Sequence, residues 1–231
     1  KSEIKQSEVN FSLTLTPNRK TTGYGVERNT VNGNHPTIFL GFSQGFKGIL
    51  ESDFEYSKAQ LFYRQPWQLG GFGRLFSNIE IGKTFGSVPL GLLNVIPGNQ
   101  AYFSIFNTFP LLDYYDFVTD TYASVHLEHN FNGRIFSKIP LLKKLNLREI
   151  VGLRGAWGEL SQDNINLDAN TPNFILTETY GAPNDKIYWE YSLGVGNIFK
   201  VFRIDFNFRG NYFEVPNARK FGVTGSFGFN F

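Results

Sequence analysis

Histidine and carboxylate side chains stand close together at one point of the sequence, in the run His126–Leu127–Glu128–His129. Such residues could bind a metal ion or act as general bases. The zinc motifs that combine two histidines with a glutamate need helical spacing, which a strand does not provide. In an extended strand His126 and Glu128 share one face and His129 points to the other, so the three cannot converge on one ion. We expect a polar network here and no metal site.

Few other residues are suited to catalysis. The 231-residue chain has no cysteine, which excludes a thiolate nucleophile, a disulfide and a cysteine-bound zinc ion. It has three histidines. The run Gly70–Gly71–Phe72–Gly73 is not a phosphate-binding loop, because no helix is predicted after it, and it is typical of a turn that enters a strand. We therefore expect a protein that is not an enzyme and needs no cofactor. A membrane-barrel protease or phospholipase is the alternative.

The composition narrows the class of protein. The 22 basic and 20 acidic residues leave a net charge of +2, which gives no reason to expect nucleic-acid binding. Aromatic residues make up 17% of the chain and charged residues 18%, a balance that argues against disorder. No run approaches the roughly 18 consecutive apolar residues of a transmembrane helix. A membrane β-strand needs only about 9 to 11 residues with every second one apolar, so the composition is compatible with a β-barrel.

Apolar and polar residues alternate along most of the chain, the pattern of strands with one apolar and one polar face. Near the C-terminus Phe221, Val223 and Phe227 fall on one face, and Thr224 and Ser226 fall on the other. The alternation predicts about ten strands and no convincing helix, with strands over residues 11–16, 36–45, 50–56, 58–66, 72–84, 119–131, 145–159, 185–198, 201–213 and 220–231.

The length and content of these strands indicate a membrane. Several run about 11 to 15 residues, whereas strands of a soluble sandwich average about five or six. The polar faces carry opposite charges such as Arg203 and Asp205, and Trp67, Trp157 and Trp189 lie near strand ends, as in an interfacial aromatic girdle. We therefore predict an all-β fold, an antiparallel transmembrane β-barrel in the bacterial outer membrane. A soluble sandwich or lipocalin-like barrel is the alternative.

The predicted interior of this barrel is charged. The polar faces would line the lumen with Arg148, Arg154, Arg203, Arg209, Asp205, Glu128, Glu190 and His126. In a small barrel these side chains would neutralise one another across a plugged lumen. In a wider barrel they would bias the passage of solutes or bind a plug. The sequence does not decide between the two. Ten strands could close on their own, whereas a barrel of about 16 strands would need about six more, upstream or from another chain.

The connections predict which strand ends lie on which side of the membrane. Outer-membrane barrels have short periplasmic turns, longer extracellular loops and a C-terminus in the periplasm. Counting strands back from Phe231 places the connection 132–144 inside, on the periplasmic side of the membrane. Its run 139–144 would be a short amphipathic piece at the periplasmic interface. The same count puts 67–71 and 199–200 inside, and it puts 17–35, 85–118, 160–184 and 213–219 outside.

The stretch 82–160 resembles a known family. The resemblance rests on residues 86–89 (GSVP), 98–103 (GNQAYF), 114–120 (YYDFVTD), 126–133 (HLEHNFNG), 139–142 (IPLL) and 147–149 (LRE). They are similar to a Bacteroidota outer-membrane family of unknown function, whose barrel region follows an N-terminal carboxypeptidase-regulatory-like domain. The resemblance implies that residues 1–231 are one outer-membrane barrel domain, the C-terminal portion of a longer chain.

A more distant resemblance is to the BamA-like superfamily of barrel-assembly and translocation proteins. Those barrels have a long extracellular loop followed by five strands, and here the long 85–118 connection is followed by five predicted strands. The Val-Arg-Gly-Phe-type motif of that superfamily is absent from this connection. The resemblance implies a non-enzymatic barrel in envelope biogenesis or translocation. A porin-like channel, or a structural subunit of a larger outer-membrane complex, is the alternative.

The C-terminal aromatic residues predict how the chain reaches the membrane. Phe227, Phe229 and Phe231 match the alternating aromatic signal that outer-membrane proteins present to the barrel-assembly machinery. A strand with an unpaired edge can pair with the edge of another protein, and alternate aromatic side chains then fix the register. The expected partners are outer-membrane lipid, this machinery and other outer-membrane or periplasmic proteins, and no nucleic acid.

Overall fold

The computed structural model describes residues 4–169, 181–215 and 217–228. Most of the strands follow the alternating sequence pattern, since side chains of a strand point to its two faces in turn. Nine long strands are formed, and in chain order they are β1 Glu8–Leu15, β2 Thr37–Gly45, β3 Tyr56–Gln68, β4 Arg74–Phe85, β5 Thr121–Asn130, β6 Arg148–Glu159, β7 Tyr188–Ile198, β8 Phe202–Arg209 and β9 Phe221–Phe227.

The nine strands form one antiparallel sheet in which each strand pairs with its neighbours along the chain. The predicted all-β antiparallel class is therefore confirmed. Within the described residues β1 and β9 each pair with a single long strand, so the sheet is not closed on itself. Two small sheets are separate from it, formed by Thr21–Thr22 with Asn29–Thr30 and by Asn94–Val95 with Val118–Thr119.

The predicted strand at 50–56 is wrong. Gly48, Leu50 and Glu51 have φ angles of 83°, 51° and 63°, a left-handed conformation that bends the chain instead of extending it. The side chain of Lys5 forms an ion pair with Glu51 across this bend. Regular pairing of β3 starts only at Tyr56, so the residues before it connect β2 to β3.

The sheet buries its polar face and exposes its apolar face. In β7, Glu190 and Ser192 are buried, whereas Trp189, Tyr191 and Leu193 are exposed. The same alternation continues in β8 and β9. The exposed apolar residues of the outer face include Val9, Phe11, Leu13, Leu40, Phe42, Leu61, Ile79, Ile81, Val151, Leu153, Phe202, Ile204, Phe206, Phe221 and Val223. An exposed apolar surface of this extent is rare on a soluble monomer.

The connections leave the sheet at two ends, because consecutive strands run in opposite directions. The loop end carries the connections β2–β3, β4–β5, β6–β7 and β8–β9, and the turn end carries β1–β2, β3–β4, β5–β6 and β7–β8. Connection 17–35 therefore lies at the same end as 67–71 and 132–144. The sequence predicts 17–35 on the opposite side from those two connections, and this is wrong. The error arises because the predicted strand at 50–56 does not exist, so the count included one strand too many.

Two short α-helices lie in the connections. Helix α1, Pro140–Leu145, falls within the predicted amphipathic piece at the turn end, with Pro140 at its first turn and Lys143 and Lys144 in its last. Helix α2, Gln162–Ala169, follows β6 at the loop end. Among the residues that the structure describes, no helix is long and apolar enough to span a membrane.

The β4–β5 connection folds back against the polar face of the sheet. Within this inner segment, residues 86–117, the side chains of Phe109, Leu111 and Leu112 are at most 1% exposed. Phe109 packs on Tyr188 of β7, with ring centroids 5.7 Å apart, and Phe117 packs on the same ring at 5.3 Å. The sequence located this connection at the loop end but did not indicate that it turns inward. The apolar core thus lies between the inner segment and the sheet.

Candidate functional site

Six neighbouring strands each contribute one polar side chain to a row across the inner face. Residues that face each other on antiparallel strands have Cβ atoms about 4.5 to 5.5 Å apart, so members of the row are adjacent. The row runs from β3 to β8 through Arg64, Asn78, His126, Arg154, Glu190 and Arg209. The last four were among the predicted interior residues. Arg64 and Asn78 were missed, because aromatic side chains interrupt the polar face of β3 and β4.

Arg203 binds two carboxylates on the turn-end side of this row. Its Nη2 donates to Glu128 at 2.7 Å and its Nε donates to Asp205 at 2.8 Å. Glu128 on β5 and Arg203 on β8 are three strand spacings apart, roughly 14 Å along a flat sheet. Direct contact requires a sheet that curves with these side chains on its concave face. Of the two carboxylates Asp205 is the more buried, with its side chain 2% exposed against 35% for Glu128, so loss of Asp205 should be the more destabilising.

Glu190 and Arg209 hold the backbone of Leu111 from both sides. Glu190 Oε1 accepts hydrogen bonds from the Leu111 amide at 3.0 Å and the Tyr188 hydroxyl at 2.5 Å. Arg209 Nη1 donates to the Leu111 carbonyl at 3.2 Å, and its guanidinium lies 5.0 Å from the centre of the Tyr188 ring. Charged groups that bond to peptide groups contribute about 1.5 to 3 kcal/mol each. This Leu111 clamp fixes the inner segment to the middle of the sheet.

The inner segment is also attached to the edge of the sheet. The Gly225 amide of β9 donates to the Tyr102 carbonyl, and the Ser104 amide donates to the Gly225 carbonyl, both at 2.8 Å. Gly98 is needed for this path, because a Cβ atom there would lie 2.5 Å from the Leu112 carbonyl oxygen. The segment therefore covers part of the edge that β9 leaves unpaired.

Asp120 connects the loop end of the sheet to α2. Its Oδ2 accepts from the Ser161 amide at 2.6 Å and from Asn164 Nδ2 at 3.0 Å. Asn164 Oδ1 accepts in turn from the Val88 amide of the inner segment at 2.9 Å. Burial alone would raise the pKa of the Asp120 carboxyl, but these hydrogen bonds outweigh it and place the pKa below its ordinary value.

The two histidines of the first predicted cluster lie on opposite faces of β5. His126 is 8% exposed on the inner face, where its ring packs on Phe109 with centroids 4.7 Å apart. The His129 ring lies on the outer face, with Nε2 2.7 Å from the Phe72 carbonyl oxygen. In the part of the chain that the structure describes, no group of three or more histidine, cysteine, aspartate or glutamate residues could hold a metal ion.

The remaining predicted residues lie at the turn end of the sheet. Arg148 is half-buried at the start of β6. Phe227, at the end of β9, is exposed on the outer face, and its ring centroid lies 5.3 Å from that of Phe202. Phe229 and Phe231, the other two aromatic residues of the predicted assembly signal, lie outside the described residues.

One catalytic spacing was overlooked in the sequence. Residues 41–45, Gly-Phe-Ser-Gln-Gly, have the spacing of a nucleophile elbow, in which a serine sits on a sharp turn between a strand and a helix. The structure places the run within β2, where Ser43 lies in extended backbone opposite Asn10 of β1. The Ser43 hydroxyl donates to the Asn10 side chain. The geometry that activates such a serine is therefore missing here.

Comparison with known families identifies the chain. Residues 2–163 match the family described as "Family of unknown function (DUF5686) C-terminal domain". The chain belongs to this family. The matched span covers β1 to β6, the inner segment and the start of α2, and therefore most of the polar row. Comparison with curated proteins gives no match.

A solved structure shares the fold of this DUF5686 C-terminal domain. It is the crystal structure of BamA from Haemophilus ducreyi lacking POTRA domains 1–3, which is 13% identical with a TM-score of 0.53. The similarity covers 95% of this chain and 42% of that one, so the chain spans less than half the length of its structural relative. At this identity the likeness shows the fold.

Proposed function

We propose that the chain is part of an outer-membrane β-barrel that is not an enzyme, with the outer face of its sheet against lipid. The burial pattern of β8 supports this most strongly. Asp205 and Asn207 are 1% and 0% exposed, whereas Ile204 and Phe206 are 39% and 40% exposed. In water this arrangement forgoes about 25 cal/mol for each Å² of apolar surface left uncovered. In a bilayer the same arrangement is the favourable one.

Closure of the sheet is the second part of the proposal. Lipid offers no hydrogen bonds to an open strand edge, so a sheet that spans a bilayer must close. All eight residues of β1 are exposed, including those on its polar face. We infer that strands from the rest of a longer chain, or from another chain, pair with this edge. The open edge of the sheet is the observation that supports a larger barrel of which this chain forms a part.

The role that we propose is in envelope biogenesis or translocation. The shared fold with BamA supports it, and so does the inner segment, which occupies the concave face under the Leu111 clamp. A porin-like channel would need that space open. The proposed partners are outer-membrane lipid, the barrel-assembly machinery that inserts the protein, and other outer-membrane or periplasmic proteins.

Conductance and electrophoresis test the proposal together. The intact protein, purified in detergent, should migrate as a heat-modifiable band and give a closed or flickering trace in a planar bilayer. A stable open pore in the wild-type protein would favour the porin-like channel. A monodisperse protein that stays soluble without detergent would contradict the membrane location itself.

A further inference from the structure

A cavity of about 370 Å³ lies between the inner segment and the concave face of the sheet. Residues 104–108 of the inner segment form one wall, and β3 to β6 with β8 form most of the rest. Its lining includes three arginines, Arg64, Arg154 and Arg203, against a single carboxylate, that of Glu128. Arg203 is already paired with Glu128 and with Asp205, so the positive charge that the cavity offers to a ligand comes from Arg64 and Arg154.

Arg64 has no carboxylate partner within the described residues. Its guanidinium lies over the rings of Phe106 and Phe76, 5.2 and 5.9 Å from their centroids. A ring contact of this kind provides no conventional hydrogen-bond acceptor for the N–H donors of the guanidinium. A guanidinium also remains charged at any accessible pH. An anion in the cavity would therefore find these donors available.

Arg154 is the second arginine without a carboxylate within 4.0 Å in the described part of the chain. Its hydrogen bonds, to Ser192 Oγ and Asn207 Oδ1, are long at 3.4 and 3.5 Å. Glu190 faces Arg154 in the register and attracts it electrostatically, but the two side chains form no ion pair within 4.0 Å. The guanidinium of Arg154 thus keeps strong donor capacity beside the cavity.

Two unsatisfied polar atoms lie between these arginines in the row. His126 Nε2 and Asn78 Oδ1 are buried and have no hydrogen-bond partner, and both residues line the cavity. Buried polar atoms without partners cost free energy, so native proteins rarely leave them unpaired. Four consecutive strands therefore present two arginines without a carboxylate ion pair and two unsatisfied polar atoms to the same space.

We propose that this cavity binds a small, diffusible anion that carries a phosphate group. Guanidinium groups bind phosphate through paired, charge-assisted hydrogen bonds, and the polar atoms between them can bond to the rest of the ligand. The site lies on the concave face, opposite the apolar face, so it does not require the protein to be in a membrane. An adjoining cavity of about 240 Å³ shares Glu128 and Arg203 with it and adds Arg74 and Arg148, which provides a basic path from the turn end.

Calorimetry on the intact protein in detergent micelles tests this site, with inorganic phosphate and pyrophosphate as probes at constant ionic strength. Wild-type protein should bind pyrophosphate saturably. Arg64→Gln and Arg154→Gln should each weaken binding about tenfold or more, since each removes a charged hydrogen-bonding group. Arg154→Lys should recover only part of the loss, because it keeps the charge without the planar fork. Arg28→Gln, in an exposed connection, is the matched control and should bind like wild type.

Three results would overturn the assignment. The first is a wild-type protein that gives no saturable heat with either probe. The second is equal affinity in wild type, Arg154→Gln and Arg28→Gln, with heat-modifiable migration showing that all are folded. The third is binding of a short-chain phosphatidic acid but of neither inorganic probe, which would assign the phosphate to a lipid. Failure of the membrane proposal would appear separately, as solubility without detergent.

Discussion

Arginine in place of Phe206 puts a charge in the middle of the exposed face of β8. The Phe206 ring is 40% exposed and stacks on Phe221 with centroids 6.5 Å apart. Against lipid, an arginine near the midplane costs about 2 to 4 kcal/mol. At about 1.4 kcal/mol per factor of ten, that lowers the ratio of folded to unfolded protein roughly 30- to 700-fold. Against water, most surface substitutions change stability by about 0.5 kcal/mol or less.

Urea unfolding in lipid vesicles measures this difference. Phe206→Ala removes the ring without adding charge, and Phe199→Arg adds the same charge in the turn between β7 and β8, where Phe199 is 86% exposed. We expect Phe206→Arg to unfold at much lower urea than either control. Equal midpoints for Phe206→Arg and Phe206→Ala would refute the assignment of this face to lipid.

Asn207, which lies next to Phe206 on the opposite face of β8, is an unsuitable control for that experiment. The residue is 0% exposed, and its side-chain amide donates to Thr224 Oγ1 at 3.0 Å. Its Oδ1 also accepts from Arg154. Arginine there would place a second cation beside Arg154 without space or solvent, so we expect damage from a different cause.

Three further predictions concern the clamp, the loop end and the C-terminus. Glu190→Ala removes the acceptor of the Leu111 amide, so bilayer recordings should show openings that the wild-type protein lacks. Because the pKa of the Asp120 carboxyl is lowered in the folded protein, its contribution to stability is present above the ordinary carboxyl pKa and is lost as pH falls through the lowered value. Asp120→Asn should therefore flatten the acid side of a plot of melting temperature against pH. Deleting Phe231 should slow surface assembly in cells more than Phe208→Ala does, with refolding into detergent little changed.

Each of these predictions has a contradicting result. Unchanged conductance in folded Glu190→Ala would mean that the clamp does not hold the inner segment closed. Parallel pH profiles for wild type and Asp120→Asn would show that the hydrogen bonds from Ser161 and Asn164 do not stabilise the charged form. Normal surface assembly without Phe231 would leave the terminal aromatic residue with a packing role alone.

The strands could be predicted because their alternation is a local property of the chain. In β7 and β8 each apolar residue is two positions from the next, and this period alone decides which side chains share a face. Phe206 and Asp205 could therefore be assigned to opposite faces without knowledge of any contact. The prediction that the polar face is inside and the apolar face outside rested on strand length and on charges such as Arg203, which are typical of a barrel interior.

The inner segment could not be predicted in the same way. Its position depends on contacts between distant residues, such as Leu111 with Glu190 and Arg209, and no short pattern in the sequence records them. One signal was present, since the apolar run around Phe109 is unusual for a connection exposed to water. The bend at Leu50 was missed for a related reason, because a left-handed residue other than glycine leaves no mark on the alternation.

Spin labels on neighbouring residues test the central claim most directly, namely that the apolar face meets lipid and the polar face is inside. The chain has no cysteine, so single-cysteine variants can be labelled without background. Leu193 and Val223 are 50% and 45% exposed on the outer face, whereas Ser192 and Thr224 beside them are 0% and 5% exposed. In vesicles, labels at Leu193→Cys and Val223→Cys should collide often with oxygen dissolved in the bilayer and should be shielded from a water-soluble nickel chelate. Labels at Ser192→Cys and Thr224→Cys should show few collisions with oxygen. Ready access of the nickel chelate to the two outer positions would contradict the account.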